Sequence, residues 1–315
     1  MLELDVFLTE NQMAEEFRAA LERRYLPEKF FYWFPLSVQA WLNLCQDSRP
    51  YKNYSRSYQL LSRYAREIAR QVSAGILEVV SVGSGQGDKD MLLLVALAIE
   101  DIHVRYRPVD SSQALLETAL ACAGQAGFAA RGIKADVENL GTFADFTRPE
   151  GGPRLYLILG NTLSVMDPRE FLKILRGILR PDDRLLVDAE IYQPGATMAG
   201  YDNPVNRQFA FAPLASIGLE EGRDGELVFE ERHEDAAGLH FVAKYFRAAR
   251  PLRLLVAGEW IEIAAGEKLQ MNASCKYSPD VFPKLLREVG GFDMQREYFS
   301  DDRQFLMALA APGRK

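Results

Sequence analysis

The 315-residue chain sets 37 Lys and Arg against 44 Asp and Glu, a formal charge of −7, with 48% hydrophobic residues. This balance excludes an electrostatic footprint for nucleic acid or an anionic membrane, and it suits a globular chain of one large or two modest domains. The longest apolar run, Met91 to Ile99, is far shorter than the ~18 residues of a membrane span, and the acidic N-terminus does not look like a signal peptide, so a cytoplasmic protein is expected.

Residues 1–75 read as mostly helical, interrupted by the aromatic segment KFFYWFP and the polar, tyrosine-rich RPYKNYSRSY. From about residue 77, apolar β-branched runs (ILEVVSV, HVRYRPV, RLYLILG, DRLLVDAEIY) alternate with helical patterns (DKDMLLLVALAIE, SSQALLETALACAGQ, DPREFLKILRGILR). Such alternation implies a parallel sheet covered on both faces. After Tyr192 it stops, and residues 220–276 read as antiparallel strands, a second lobe. The chain ends with a helix, SPDVFPKLLREVGG, and two strand-like runs, FDMQREYF and QFLMALAA. As a hairpin these would rejoin the parallel sheet as an antiparallel edge, which makes the second lobe an insertion. Cys45, Cys122 and Cys275 are far apart, and His103, His233 and His240 form no H-E-x-x-H pattern, so neither a disulfide framework nor a metal site is expected.

The stretch EVVSVGSGQGDKDMLLLVALA runs a strand through Gly83-Ser84-Gly85-Gln86-Gly87 into a helix. Backbone N–H groups and a positive helix end then face a ligand at close range. Asp88 stands where a dinucleotide fingerprint requires glycine, and the P-loop spacing is absent, so a phosphate cradle is disfavoured. The next strand ends at Asp110, placed to accept hydrogen bonds from ribose hydroxyls, and GIKAD ends at Asp136, near where an adenine amino group would lie. An adenosine ligand without phosphates, carrying a sulfonium and an amino-acid tail, fits this set: S-adenosylmethionine, with Lys89 available to its carboxylate.

Several segments together carry a family resemblance: GSGQGDKDMLLL, Val109-Asp110, LGNTLSVMDPREFLKILRGILRPDDRLLVDAEIY, Tyr201-Asp202-Asn203, NASCKYSPDVFPKLLREVGG and the N-terminal EKFFYWFPLSVQAWLNLCQDSRPYKNYSRSY. In this order they resemble the histidine-specific S-adenosylmethionine-dependent methyltransferases, which trimethylate the α-amino group of L-histidine in ergothioneine biosynthesis. The resemblance implies a Rossmann-like class I methyltransferase domain of α/β class, a doubly wound sheet with a C-terminal antiparallel hairpin, plus a second α+β lobe for the substrate. It assigns residues 61–195 and 286–315 to the cofactor domain, and 1–60 and 196–285 to the substrate lobe. The implied cofactor set is Gly83, Ser84, Gly85, Lys89, Asp110, Ser111, Asp136, Gly160 and Asn161. Tyr32 matches a tyrosine close to the reacting amine and Tyr201 one that holds the substrate's amino-acid head; these are the expected catalytic residues.

Other implied substrate positions depart from the family's pattern. Val165 replaces an asparagine that clamps the head group, Lys52-Asn53 replaces a tyrosine pair, and Phe241 replaces a methionine. An acidic residue in E-x-S-C-K becomes Asn272, with Ser274 retained. A site built to hydrogen-bond one polar group rejects ligands lacking it by about 10⁴ to 10⁵, so the expected acceptor is a small molecule other than L-histidine, amino-acid-derived or aromatic, as in secondary metabolism. Tyr32, Trp33 and Phe241 with amides at Asn53, Asn161 and Asn272 point to an uncharged or aromatic acceptor. In-line methyl transfer to a nitrogen or oxygen of the acceptor, in a monomer or simple homo-oligomer, is the expectation. The rival readings are transfer of the cofactor's aminobutyl arm and a cofactor-binding pseudo-enzyme.

Overall fold

An apolar run such as ILEVVSV offers no polar face to water and is stable only between two covering layers. In the computed structural model, which describes residues 3–47, 51–72, 75–147 and 152–313, this run is a strand buried from Leu77 onward. The chain forms two compact units, one of Met1–Phe7, Asn53–Tyr192 and Tyr277–Lys315, the other of Leu8–Lys52 and Gln193–Lys276.

The first unit begins with Leu4–Val6 (β1), Ile76–Val82 (β2), His103–Asp110 (β3), Ala129–Ala130 (β4), Gly132–Lys134 (β5), Arg154–Ile158 (β6) and Arg184–Glu190 (β7). The second unit contributes Gly225–Glu234 (β8), Leu239–Ala248 (β9), Leu252–Val256 (β10), Glu259–Ile263 (β11) and Lys268–Tyr277 (β12), and the chain then returns through Phe292–Phe299 (β13) and Phe305–Pro312 (β14). The main sheet has the order β1-β5-β3-β2-β6-β7-β14-β13, with β4 also on β3. The pairs from β1 to β7 are parallel, whereas β14 runs antiparallel to both β7 and β13. This is a mixed α/β architecture whose order reverses at β2, with β3 leaving on one side and β6 on the other, which opens a crevice beyond the strands' carboxyl ends.

Helix Asn53–Gln71 buries residues at helical spacing, including Asn53, Ser57, Leu60, Leu61, Ala65 and Ile68. Its apolar stripe joins Leu93, Leu94 and Leu97 of helix Asp88–Ile99 and Val79, Leu157, Leu186 and Met307 of the sheet in one core. Helix Pro168–Ile178 starts where Asp167 accepts the N–H groups of Arg169 and Glu170, with proline in its first turn.

In the second unit β8 and β9 pair antiparallel, β12 lies on β9, and β10 and β11 form a separate hairpin. The N-terminal segment is tied in where Leu26 N–H donates to Gln270 O at 2.8 Å and Arg24 pairs with Glu267 at 2.7 Å.

The expected domain limits are corrected at three places, besides residues 193–195, which fall in the second unit because the first unit's central segment ends at Tyr192. Asn53–Gln71 is one continuous helix whose buried stripe starts at its first residue, so positions 53–60 belong to the first unit. Residues 277–285 also belong there, because Tyr192 N–H donates to Tyr277 O and the Tyr277 and Phe282 rings pack 5.0 Å apart. The third is β1, absent from the helical reading of the N-terminus, which pairs with β5 at the sheet edge. Positions 49 and 50 of the tyrosine-rich stretch lie outside the described residues.

Arg154 and Asp183, both with fully buried side chains, form an ion pair at 2.6 Å, and Asp183 also accepts the N–H groups of Arg154 and Arg180 at 2.8 Å. Removing one partner leaves a buried charge uncompensated. Asp183→Ala is therefore expected to cost about 3–5 kcal/mol in urea unfolding.

Candidate active site

The glycine turn after β2 takes its shape from backbone that other residues resist. Gly83, Gly85 and Gly87 have φ of 74°, 56° and 79°. A Cβ on Gly83 would come within 2.7 Å of Thr162 Cγ2, whereas one on Gly85 would meet nothing within 4 Å, so the turn is packed at its base and open at its crest. The N–H groups of Gly83 and Ser84 both donate to Val109 O, at 2.8 and 3.1 Å.

Asp110, at the end of β3, fixes the crest: one carboxylate oxygen accepts Gly85 N–H and the other Ser112 N–H, each at 2.9 Å. Burial raises its pKa, opposed by the N–H donors of Ser112, Gly85 and Ser111 and by the charge of Lys89. After β6, Gly160 and Asn161 form a left-handed turn (φ 77° and 68°) whose N–H groups donate to Asp188 of β7 at 2.9 and 2.7 Å. Ser57 Oγ–H donates to the same carboxylate at 2.5 Å, and burial pushes the Asp188 pKa up to about 6. Lys89 is buried with its ammonium 4.5 Å from the Tyr54 ring centroid, beside the hydrogen face of Gly160, where a Cβ would lie 3.0 Å from Nζ. Asp136 accepts Glu138 N–H in the loop after β5. The nine residues expected around a cofactor thus fall at the carboxyl ends of β5, β3, β2 and β6, which are consecutive in the sheet, and in the helix after β2.

In the second unit, Asn272, Ser274 and Lys276 alternate onto one face of β12. Tyr32 O–H donates to Glu28 at 2.9 Å and Asn272 Nδ2 donates to the same carboxylate. Lys276 Nζ donates to Ser274, whose hydroxyl lies 3.4 Å from that of Tyr201, and the ammonium sits 4.4 Å from the Tyr201 ring centroid. Lys244 of β9 faces the rings of Phe31, Phe209 and Tyr201 at 5.6, 5.6 and 5.9 Å. Burial pushes the Lys244 pKa down to about 8; Lys276 adds to this and Glu28 opposes it. Burial raises the Glu28 pKa against the pull of Lys244, Tyr32 and Lys276.

The four expected substrate residues Tyr32, Tyr201, Asn272 and Ser274 are therefore brought together. Phe241 is not: strand alternation puts it on the face of β9 opposite Lys244, with Arg232 over its ring at 5.7 Å. Asn53 and Val165 belong to the first unit, where Asn53 Nδ2 donates to Glu190 at 2.6 Å and Val165 ends the turn Thr162–Val165. The expectation of an uncharged acceptor surface missed Glu28, Lys244 and Lys276. The signal was in LHFVAKYF, where Lys244 shares the inward register of Val242 and Phe246.

A doubly wound sheet whose order reverses beside an open glycine turn, with an acidic residue ending the next strand, is the arrangement of α/β enzymes that bind an adenosine-containing cofactor, the S-adenosylmethionine-dependent methyltransferase class among them. Within that class the chain belongs to the family described as "Histidine-specific methyltransferase, SAM-dependent", whose model matches residues 13–312. It is 28% identical over 277 residues to Histidine N-alpha-methyltransferase of Mycolicibacterium smegmatis, covering 84% of each chain. To N-methyltransferase imqF of Aspergillus flavus it is 25% identical over 270 residues, 78% of this chain and 70% of that one. A solved S-adenosylmethionine-dependent methyltransferase from Clostridium acetobutylicum is 13% identical with a TM-score of 0.45, covering 82% of this chain and 92% of that one. The protein is an S-adenosylmethionine-dependent methyltransferase.

Two outcomes follow for the first unit. Asp110→Ala removes a carboxylate whose charge-assisted bonds are worth about 1.5–3 kcal/mol each, so S-adenosylmethionine affinity measured by calorimetry should fall by about 100-fold. Asp90, buried and bonded to Tyr106 O–H, has a pKa raised to about 6, chiefly by burial. Its folded pKa exceeds the unfolded value of ~3.9, so its contribution to stability is full below that value and is lost as pH rises through about 6. Relative to Asp90→Asn, the wild type should gain about 1 kcal/mol in urea unfolding between pH 7.5 and pH 5.

Proposed function

We propose that this enzyme N-methylates a small acceptor other than L-histidine. The observation that carries the reading is position 272, where the family pattern has an acidic residue that holds imidazole. Here an amide stands there, and its Nδ2 is committed to Glu28. A histidine-recognising group has been replaced by one already engaged inside the protein, and polar mismatches of this kind discriminate by about 10⁴ or more. The similarity to the Aspergillus flavus N-methyltransferase supports nitrogen as the methylated atom.

The first unit fits the cofactor. The crest of the glycine turn is open at Gly85, the Asp110 carboxylate retains lone pairs for ribose hydroxyls, Asp136 stands at the next strand end, and Lys89 supplies a buried cation. Bound there, S-adenosylmethionine supplies a methyl group activated by its positive sulfur. The chain's own residues need only orient the acceptor and exclude water, effects that can lower a barrier by about 7–11 kcal/mol. A protonated acceptor amine must first lose its proton. The Tyr32 hydroxyl, donating to Glu28, offers a relay that ends on a carboxylate whose raised pKa favours holding the proton.

Incubation with S-adenosylmethionine and a panel of amines, followed by mass spectrometry, tests the reading. Methylated product with S-adenosylhomocysteine, and no methylation of L-histidine, is expected. Efficient L-histidine methylation would overturn it, and 5′-methylthioadenosine as the coproduct would mean aminobutyl transfer instead.

A further inference from the structure

Lys244 is 3% exposed, in the middle of β9, yet among the described residues its ammonium makes no hydrogen bond and no ion pair. Its neighbours are the three rings of Phe31, Phe209 and Tyr201. A lysine ammonium has three donors, and the ring cage offers them no hydrogen-bond acceptor, so it is an incomplete environment. The nearby carboxylate, Glu28, is engaged by Tyr32 and Asn272 and acts on Lys244 only through space.

A second orphan lies in the same cluster. Asn272 is 3% exposed and turns Nδ2 toward Glu28, which leaves Oδ1 buried without a partner. Because Glu28 accepts from that amide, the carboxamide orientation is fixed by chemistry, and Oδ1 remains an acceptor lacking a donor. One unpaired cationic donor and one unpaired acceptor thus flank a satisfied carboxylate. Most buried polar groups are hydrogen-bonded, and two exceptions in one cluster call for an explanation that a bound ligand would supply.

We infer that Lys244 is a specificity-determining residue that holds a carboxylate of the methyl acceptor, with an N–H of the same molecule donating to Asn272 Oδ1. The inference rests on the acceptor reading above and deepens it: the acceptor is a small acid bearing an N–H group. The ring cage supplies apolar walls for the body of such a molecule and keeps water from screening the charge pair.

The probes are benzoate and its neutral counterpart benzamide, titrated into the full-length enzyme with S-adenosylhomocysteine present. Benzoate should bind about tenfold tighter than benzamide, as expected for one desolvated charge pair. Lys244→Met should abolish the preference while S-adenosylhomocysteine binding is unchanged, and Lys244→Arg should restore part of it. Equal affinities in the wild type, or a preference that survives Lys244→Met, would overturn the assignment. Should Lys244→Met fail to fold, the wild type decides by pH: the charged and titratable groups facing Lys244 are Glu28, Lys276 and Tyr201, and the benzoate preference should be lost between pH 7 and pH 10 as Lys244 deprotonates. A preference unchanged at pH 10 overturns it equally. Methylation of L-histidine would sink the preceding reading, whereas equal benzoate and benzamide affinities would sink this one alone.

Discussion

Two buried carboxylates hold the working end of the first unit, and each acts on the turn of a neighbouring strand. Asp110 on β3 grips Gly85 after β2, and Asp188 on β7 grips Gly160 and Asn161 after β6. Since β2 and β6 are adjacent and flanked by β3 and β7, the two turns on either side of the reversal in strand order are fixed from outside by negative charge. Backbone N–H groups serve as the counter-dipoles, with the Lys89 cation acting on both acids. Burial raises both pKa values, a cost of holding the two left-handed turns on buried carboxylates.

Much of this was legible in the sequence, because period and punctuation are local. The change from helical spacing to alternating strand and helix marked the sheet, glycines marked the turn after β2, and Asp110 could be placed from its position at a strand end. Asp188 was not legible: within RLLVDAE it reads as an acid in a buried strand, and its role needs the turn after β6, which only the parallel pairing of β6 and β7 brings near. The edge strand β1 was missed for a similar reason. Its three residues have no pattern of their own and become a strand only by pairing with β5. The domain limits failed where one helix, Asn53–Gln71, runs through the expected boundary.

The second unit follows a different logic. The turns of the first unit present backbone N–H groups in left-handed conformations held by Asp110 and Asp188, whereas the cluster around Glu28 is made of side chains on β9, β12 and the N-terminal segment. Substituting one inward-facing side chain alters what is recognised without disturbing the strand that presents it. On the reading proposed above, specificity can therefore diverge in this unit while the crevice of the other is preserved. The sequence reading had no means of joining Glu28 and Lys244 to this cluster, because they become neighbours of Asn272 and Tyr201 only in the folded unit.

The loss of the acid at 272 did not empty the cluster of negative charge; Glu28 supplies one from the opposite element. Two of its hydrogen bonds are filled from within, by Tyr32 and Asn272, so it is held more as a fixed part of the wall than as an open hand. The groups left unanswered are the amide oxygen of Asn272 and the ammonium of Lys244. On the acceptor reading proposed above, a position that the family resemblance gives to an acid beside imidazole is here an amide near a cation. In a buried site, polarity rather than volume decides which molecule is excluded, because an unpaired charge costs more than an imperfect contact.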